Sequence, residues 1–315
     1  MNVTLVVPVY NEQLNLNTFI DEFNIHYPKF SELNYNFDIQ FVDDGSKDNT
    51  AAILEALANK YVYVRAILFS RNFGKESALF AGLEHASGDL IIPMDVDLQD
   101  PFEVVFEMLK KYEEGADVVL AKRIDRGTDS YLKRRSAEMF YKVNNKMSSL
   151  KLEDNVGDFR LMTRQVVNEI LKLKENQLFM KGLMSWVGFD TVVVTYVRPA
   201  RNEGDTKFNF FKLWNLAIQG ITSFSTLPLK IWTYFGGITA FISFLYGLKI
   251  IIEKLFFGIN VSGYASLMVA VLFFGGVQLI GIGVIGEYLG RTYLETKQRP
   301  KYIIKKSINE NQRAG

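Results

Sequence analysis

Two apolar stretches, Trp232–Ile252 and Ala265–Leu289, stand near the C-terminal end of this 315-residue chain. At ~1.5 Å per residue, each is long enough to cross ~30 Å of hydrocarbon as a helix. Burying both in a soluble core needs a large extra domain around them, which the chain does not supply. They read as a membrane hairpin within residues 230–290, its helices at about 232–253 and 265–289. Arg291, Lys297, Arg299, Lys301, Lys305 and Lys306 follow the second stretch, and Lys230 precedes the first. The turn from Phe256 to Tyr264 has no basic residue. That asymmetry predicts both termini on the cytoplasmic side of the cell (inner) membrane. Lys249 and Glu253 are placed to snorkel or to sit among head groups. Gly275, Gly276, Gly281, Gly283 and Gly286 leave the second helix a thin face suited to a neighbouring helix, and so to a homo-oligomer. Residues 208–229 carry Phe211, Trp214, Ala217, Ile218 and Ile221 on one helical face, read as an interfacial helix along the bilayer. Residues 291–315 form a cytoplasmic tail, expected to be mobile after Pro300.

Composition narrows the chemistry. A net charge of +1 argues against nucleic acid as a partner. Cysteine is absent, which removes disulfides, a thiolate nucleophile and cysteine zinc sites. His26 and His85 are the only imidazoles. Any metal is then expected to be held by oxygen, which favours magnesium or manganese. Met1-Asn2-Val3-Thr4-Leu5 starts directly as a strand with no basic leader, so the N-terminal region, residues 1–207, is expected to stay in the cytoplasm.

That region alternates strand and helix. Leu5–Val9 is a strand, and Leu14, Phe19, Ile20 and Phe23 then recur at helical spacing until Tyr27-Pro28 is expected to stop the helix. Strands follow at Phe37–Val42, Val62–Phe69, Leu90–Met94 and Val118–Ala121. Helices are predicted from Asp48-Asn49-Thr50 to Lys60, from Gly74 to Ala86, and from Pro101 to Gly115. Such βαβ units imply an α/β, Rossmann-like, mostly parallel sheet with helices on both faces. Ligands bind such sheets beyond the carboxyl ends of the strands. Asn11-Glu12, Asp43-Asp44, Arg71-Asn72, Asp95/Asp97 and Lys122-Arg123 all fall at such ends. Neither the G-x-G-x-x-G fingerprint nor a P-loop is present, so any nucleotide is gripped without a glycine-rich phosphate loop.

Asp95 and Asp97 are one residue apart where an apolar strand stops. Two carboxylates so placed repel each other, and a hard divalent cation relieves that repulsion while leaving positions open for phosphate oxygens. Gln99 can add a third oxygen, and Asp100 suits a helix cap before Pro101. Asp43-Asp44-Gly45-Ser46 can contact a base or ribose through its carboxylates, though taken alone it reads as a strand-to-helix turn. Glu12 is either a nucleotide contact or a first-turn helix residue. Asp158 and Arg160, set between a polar loop and a helix beginning near Thr163, can position an acceptor and a phosphate or form a local ion pair. Lys122-Arg123, Arg126 and Lys133-Arg134-Arg135 precede the amphipathic pattern Met139, Phe140, Val143. They read as a solvated helix face or as a pocket for anionic phosphates, with Arg198, Arg201 and Lys207 a second basic cluster.

These residues resemble the family 2 glycosyltransferases that load a sugar onto a polyprenyl phosphate, above all the bactoprenol glucosyltransferase group; dolichol-phosphate mannose synthases are more distant. The resemblance is carried by Val7–Glu12, Val42–Ser46, Ser70–Lys75, Asp95–Pro101, Gly157–Leu161 and the stretch Gly276–Tyr288, and covers nearly the whole chain. It implies a GT-A fold in which Pro8, Tyr10, Glu12 and Asp43 line the nucleotide site. Asp95, Asp97 and Gln99 would hold a divalent ion, Mg2+ or Mn2+, on the donor diphosphate. Asp158 would lie near the attacking acceptor and Arg160 near phosphate. Arg123 and Arg135 look like acceptor-phosphate arginines, and Arg198–Lys207 resembles a loop whose Arg201 and Lys207 meet donor phosphates. UDP-glucose as donor and undecaprenyl phosphate as acceptor follow from the resemblance alone. The rival readings are a processive polysaccharide synthase, whose Q-x-x-R-W motif is missing here, and a non-catalytic nucleotide-sugar-binding membrane partner.

Overall fold

The computed structural model describes residues 1–124, 156–176, 178–197, 226–257 and 263–309. The basic residues Arg126, Lys133, Arg134 and Arg135, the second cluster Arg198, Arg201 and Lys207, and the interfacial segment through Phe224 lie outside the described residues.

Apolar alternation builds the sheet. In β1 (Asn2–Val9), Val3, Leu5, Val7 and Val9 enter one core and Val6 the opposite one. β2 (Asn36–Asp43), β3 (Val64–Phe69) and β4 (Leu90–Pro93) run parallel to it in the order β4-β1-β2-β3. α1 (Asn15–Glu32), α2 (Thr50–Lys60) and α4 (Phe102–Glu113) cover one face. α3 (Lys75–His85), α5 (Arg164–Leu171) and α6 (Met180–Trp186) cover the other. β5 (Val118–Arg123), β6 (Val156–Thr163), β7 (Thr191–Tyr196) and β8 (Ile304–Ile308) complete an eight-stranded sheet, order β7-β5-β6-β4-β1-β2-β3-β8. Four ladders are parallel, and those of β6 with β4 and β5 and of β8 with β3 are antiparallel.

Two local expectations are overturned in this part of the fold. α1 does not stop at Pro28 but runs through it to Glu32. A mid-helix proline costs ~3 kcal/mol. Here the extra turn seats Phe30 in the core, fully buried and stacked on Phe37 at 4.2 Å and Phe106 at 4.3 Å. Burying a phenylalanine returns about 1.5–3 kcal/mol and each aromatic pair about 0.5–1.5 more, which outweighs the cost. Gly157–Leu161, set in the sequence before a helix beginning near Thr163, lies in strand β6, and that helix, α5, starts at Arg164. Asp158 and Arg160 fall on one face of β6, while Phe159 and Leu161 alternate into the core on the other. The second correction concerns the tail, which from Lys301 to Asn309 packs against the sheet. β8 pairs antiparallel with β3, Tyr302 stacks on Phe69 at 5.0 Å, and Tyr302 Oη donates to Glu84. Asn309 Nδ2 donates to the Ala58 and Val64 carbonyls. An open β3 edge offers unpaired backbone groups, and β8 satisfies them.

Two helices lie in the chain between β7 and β8, α7 (Leu227–Phe257) and α8 (Tyr264–Thr296). Their spans Leu229–Ile250 and Ser266–Thr296 are long and apolar enough to cross a membrane, and none of their residues in those windows is buried. A core helix would bury such side chains; here Phe241, Phe244 and Leu279 point outward. At Gly281 the helices touch: a Cβ there would lie 2.4 Å from Trp232 Nε1. Gly275, Gly276, Gly283 and Gly286 face open space, so the thin face is only partly used within the chain.

Candidate active site

Four parallel strands ending on one sheet edge deliver four loops to one place. A cleft of about 440 Å³ is lined by Pro8 and Val9 at the end of β1, Tyr10 and Glu12 after it, Asp44 after β2, Asn72, Gly74 and Lys75 after β3, and Asp95–Asp97 after β4. Hydrogen bonds between loops hold it. Asn11, in the left-handed region at φ 56°, donates from its amide to Ser46 Oγ and accepts from the Lys47 amide. The Glu12 amide donates to Thr50 Oγ1, and the Asn49 amide to Gln13 Oε1. Tyr10 stands half-exposed at the rim, and Glu12 carboxylate accepts from Asn15 Nδ2 at 2.6 Å.

The adjacent aspartates at the end of β2 and just beyond it divide the work. Asp43 is buried, and its Oδ1 takes both the Ser46 amide and hydroxyl, which closes the turn. Burial pushes its carboxyl up, against the pull of Ser46. Asp44 lines the cleft and accepts from the Phe73 amide at 2.6 Å and the Gly74 amide at 3.0 Å. It thus fixes the turn that launches α3. Gly45, which follows Asp44 at φ +68°, brings its Cα so close to Arg71 that a Cβ would sit 2.4 Å from the Arg71 carbonyl carbon. Gly45→Ala therefore pays for a left-handed alanine and a backbone clash, about 2–4 kcal/mol together. Thermal unfolding of the variant is expected to fall accordingly; an unchanged midpoint would show that the two loops can separate freely.

The acidic pair is where the sequence places it. Asp95 and Asp97 lie on the cleft wall, and the Gln99 amide donates to Asp97 Oδ1 at 3.2 Å. Leu98, between Asp97 and Gln99, holds a left-handed φ of 55°, a strained conformation of the kind that gathers at functional sites. Gln99 is buried, and its Oε1 has no partner among the described residues. Asp100 does not cap α4. The cap position is Pro101, and Asp100 is buried with Tyr196 Oη donating to it and Arg123 3.8 Å away. Arg123 Nε in turn donates to Tyr196 Oη at 3.1 Å, so Arg123 braces the loop from the side of β5.

β6 adds the next layer. It pairs Leu90 with Thr163 and Ile91 with Met162. Continuing that antiparallel register sets Asp158 abreast of Asp95. Lys75 joins them, its Nζ 2.7 Å from Asp95 Oδ1 and 3.1 Å from Asp158 Oδ2. Burial alone would lower the Lys75 ammonium pKa, but the two carboxylates override it and hold it above its usual range. Burial raises the Asp158 carboxyl, yet Lys75, Lys181 and Arg160 together carry it below the usual carboxylate value. Arg160 is buried, donates to the Gly157 carbonyl at 2.8 Å, and is lowered by burial to about 10, with Asp158 opposing. Asp158 Oδ1 and Arg160 Nε have no partner among the described residues. Glu76 completes the acidic wall, accepting from the Met180 amide at 2.7 Å. Sequence reasoning named neither Lys75 nor Glu76 for the site. Their signal was present in the stretch Ser70–Lys75 at a strand end, but only the sheet pairing says what Lys75 faces.

A mixed α/β sheet, an acidic edge at the strand ends and a C-terminal apolar hairpin together define the class. The chain belongs to glycosyl transferase family 2, whose domain matches residues 4–171, and the GtrB C-terminal hairpin matches residues 227–292. It is a glycosyltransferase with a GT-A-like fold. It is 57% identical to the prophage bactoprenol glucosyl transferase homolog of Escherichia coli (strain K12), over 97% of this chain and 99% of that one. To the SfII prophage-derived bactoprenol glucosyl transferase of Shigella flexneri it is 58% identical, over 99% of this chain and 100% of that one. Among solved structures it is similar to the mannosyltransferase PcManGT from Pyrobaculum calidifontis in complex with GDP-Man and Mn2+ (TM-score 0.46, 17% identity, 68% of this chain and 60% of that one).

Proposed function

We propose that this protein transfers glucose from UDP-glucose to undecaprenyl phosphate at a membrane, with inversion at the anomeric carbon. The observation that carries the reading is the cleft itself: Asp95 and Asp97 on its wall, Tyr10 and Glu12 at its rim, and Lys75 and Asp158 beside the acidic pair. The full-length likeness to bactoprenol glucosyl transferases supports the substrates.

The donor set fits a hard divalent cation. Two carboxylates lie on the cleft wall after one strand end, all candidate ligands are oxygen, and the buried Gln99 Oε1 lacks a partner among the described residues. Asp95, Asp97 and Gln99 would hold Mg2+ or Mn2+, which when bound neutralises charge on the departing diphosphate. The protein's own groups do the rest. Tyr10 offers an aromatic face to the base, and Glu12 an acceptor to the nucleoside. An acceptor phosphate oxygen forms the new bond to the anomeric carbon while the bond to the UDP oxygen breaks, the electron pair leaving with UDP. A phosphate monoester has its second pKa near ~6, so the acceptor is already mostly dianionic at neutral pH. No strong base is needed. Asp158, held as an anion by Lys75, Lys181 and Arg160, is a poor proton acceptor and serves to orient. Arg123, Arg135, Arg201 and Lys207 are assigned to substrate phosphates, and residues 1–207 with both termini to the cytoplasm, where nucleotide sugars are made. α7 and α8 form the two-pass anchor, and the open glycine face of α8 invites a second copy of the chain.

Membranes carrying the protein, incubated with labelled UDP-glucose, undecaprenyl phosphate and Mg2+, are expected to move label into a lipid extract, and EDTA to stop it. Label in long polymer would favour a processive synthase, and no transfer with any donor a non-catalytic partner.

A further inference from the structure

We propose that Lys75 is a resident counter-cation that competes with a divalent ion for Asp95, so that metal binding shifts its ammonium onto Asp158. This rests on the metal reading of Asp95 and Asp97. The geometry points to it from three sides. First, Nζ spans two carboxylates from different strands, 2.7 Å from Asp95 and 3.1 Å from Asp158. Asp95 is also a wall residue of the cleft where a cation would sit. A dication on that carboxylate repels an ammonium on the same group, so the two occupancies oppose each other.

Second, Lys75 is held at this place by carboxylate charge, from Asp95 and Asp158 in direct contact and from Glu76 close by. Lys75 is the first residue of α3, where the helix dipole disfavours positive charge. Its side chain is half-exposed, on a flexible four-carbon stem that can swing without disturbing the core. Third, a destination exists. Asp158 is only 16% exposed, has one oxygen on Lys75, and its other oxygen has no partner among the described residues. An ammonium released from Asp95 can stay on Asp158 and keep that buried carboxylate neutralised. Lys75 is then a positioning residue: it keeps the acidic wall neutralised before the metal arrives and holds Asp158 in place afterwards.

The test measures Mn2+ binding to the full chain in detergent, without nucleotide, from the electron paramagnetic resonance signal of free Mn2+. K75M is expected to bind Mn2+ roughly tenfold more tightly than the unsubstituted protein. K75R, which keeps the charge, is expected to bind as the unsubstituted protein does, and D97N to lose binding. K75M binding no more tightly, while D97N still loses the ion, overturns the role of Lys75 and leaves the metal site standing. D97N binding Mn2+ normally overturns the metal site itself. K75Q carries the same expectation and replaces K75M if that variant unfolds.

Discussion

Asp97→Asn leaves the fold intact and removes transfer. Asp97 lies on the cleft wall, between the buried Val96 and the left-handed Leu98, and asparagine is nearly its isostere. The one hydrogen bond the structure shows to its carboxylate, from the Gln99 amide, survives on the asparagine carbonyl. Stability should therefore stay within the ~0.5 kcal/mol typical of surface substitutions. Activity should not. The substitution removes a full negative charge from an oxygen donor set of which only two members are carboxylates. Removing one preorganised electrostatic contact in an active site costs ~10²–10³ in rate, and loss of the cation itself costs more. Transfer of labelled glucose into lipid extract is expected to drop at least about a thousandfold, with an unchanged unfolding midpoint. An Asp97→Asn protein with near-normal turnover would remove the metal assignment.

The second large effect is expected at the far end of the chain. A protein ending at Arg299 loses β8 and everything that segment holds: the Tyr302 stack on Phe69, its bonds to Glu84 and His85, the Lys306–Glu55 pair and the bonds of Asn309. The exposed Lys306–Glu55 pair adds little. A half-buried tyrosine and several hydrogen bonds together contribute about 3–5 kcal/mol. For a domain of this size that lowers the unfolding midpoint by roughly 6–20 °C. It also uncovers the β3 edge, so the shortened protein should aggregate sooner on heating. Tyr302→Ala should reproduce part of the shift and leave the strand pairing. A truncated protein as stable as the whole chain would mean that β8 is a passive appendage. The consequence reaches the site, because β3 and α3 deliver Asn72, Gly74 and Lys75 to the cleft, and Ser70 donates its amide to the Ile303 carbonyl.

Legibility followed range. The strands β1 to β4 announce themselves as apolar runs closed by polar residues, because their side chains meet helices that are near in sequence. The acidic couplet was legible for the same reason: an apolar strand that stops at Asp95 and Asp97 puts charge at its carboxyl end whatever the rest of the chain does. β6 was not. Its Asp158 and Arg160 read equally as substrate contacts or a local ion pair until β4 and β5 flank them and Lys75 supplies the opposite charge. Pro28 misled because the helix penalty is local, while the burial of Phe30 between Phe37 and Phe106 is not. Asp43 and Asp44 were indistinguishable as neighbours in sequence, and the structure gives the turn to one and the cleft wall to the other.

The amino-acid sequence by itself determined the two apolar spans, the alternating sheet and the edge on which its polar residues gather, since these depend on periodicity and length within one segment. Tertiary structure alone decided that the tail closes the sheet, that Asp158 stands beside Asp95, and that a lysine from a helix start lies between them. Those are pairings between segments 20 to 240 residues apart, as in Lys75 with Asp95 and β3 with β8. Their energies are Coulombic and hydrogen-bonding terms that exist only once distant backbone has been brought within about 3 Å.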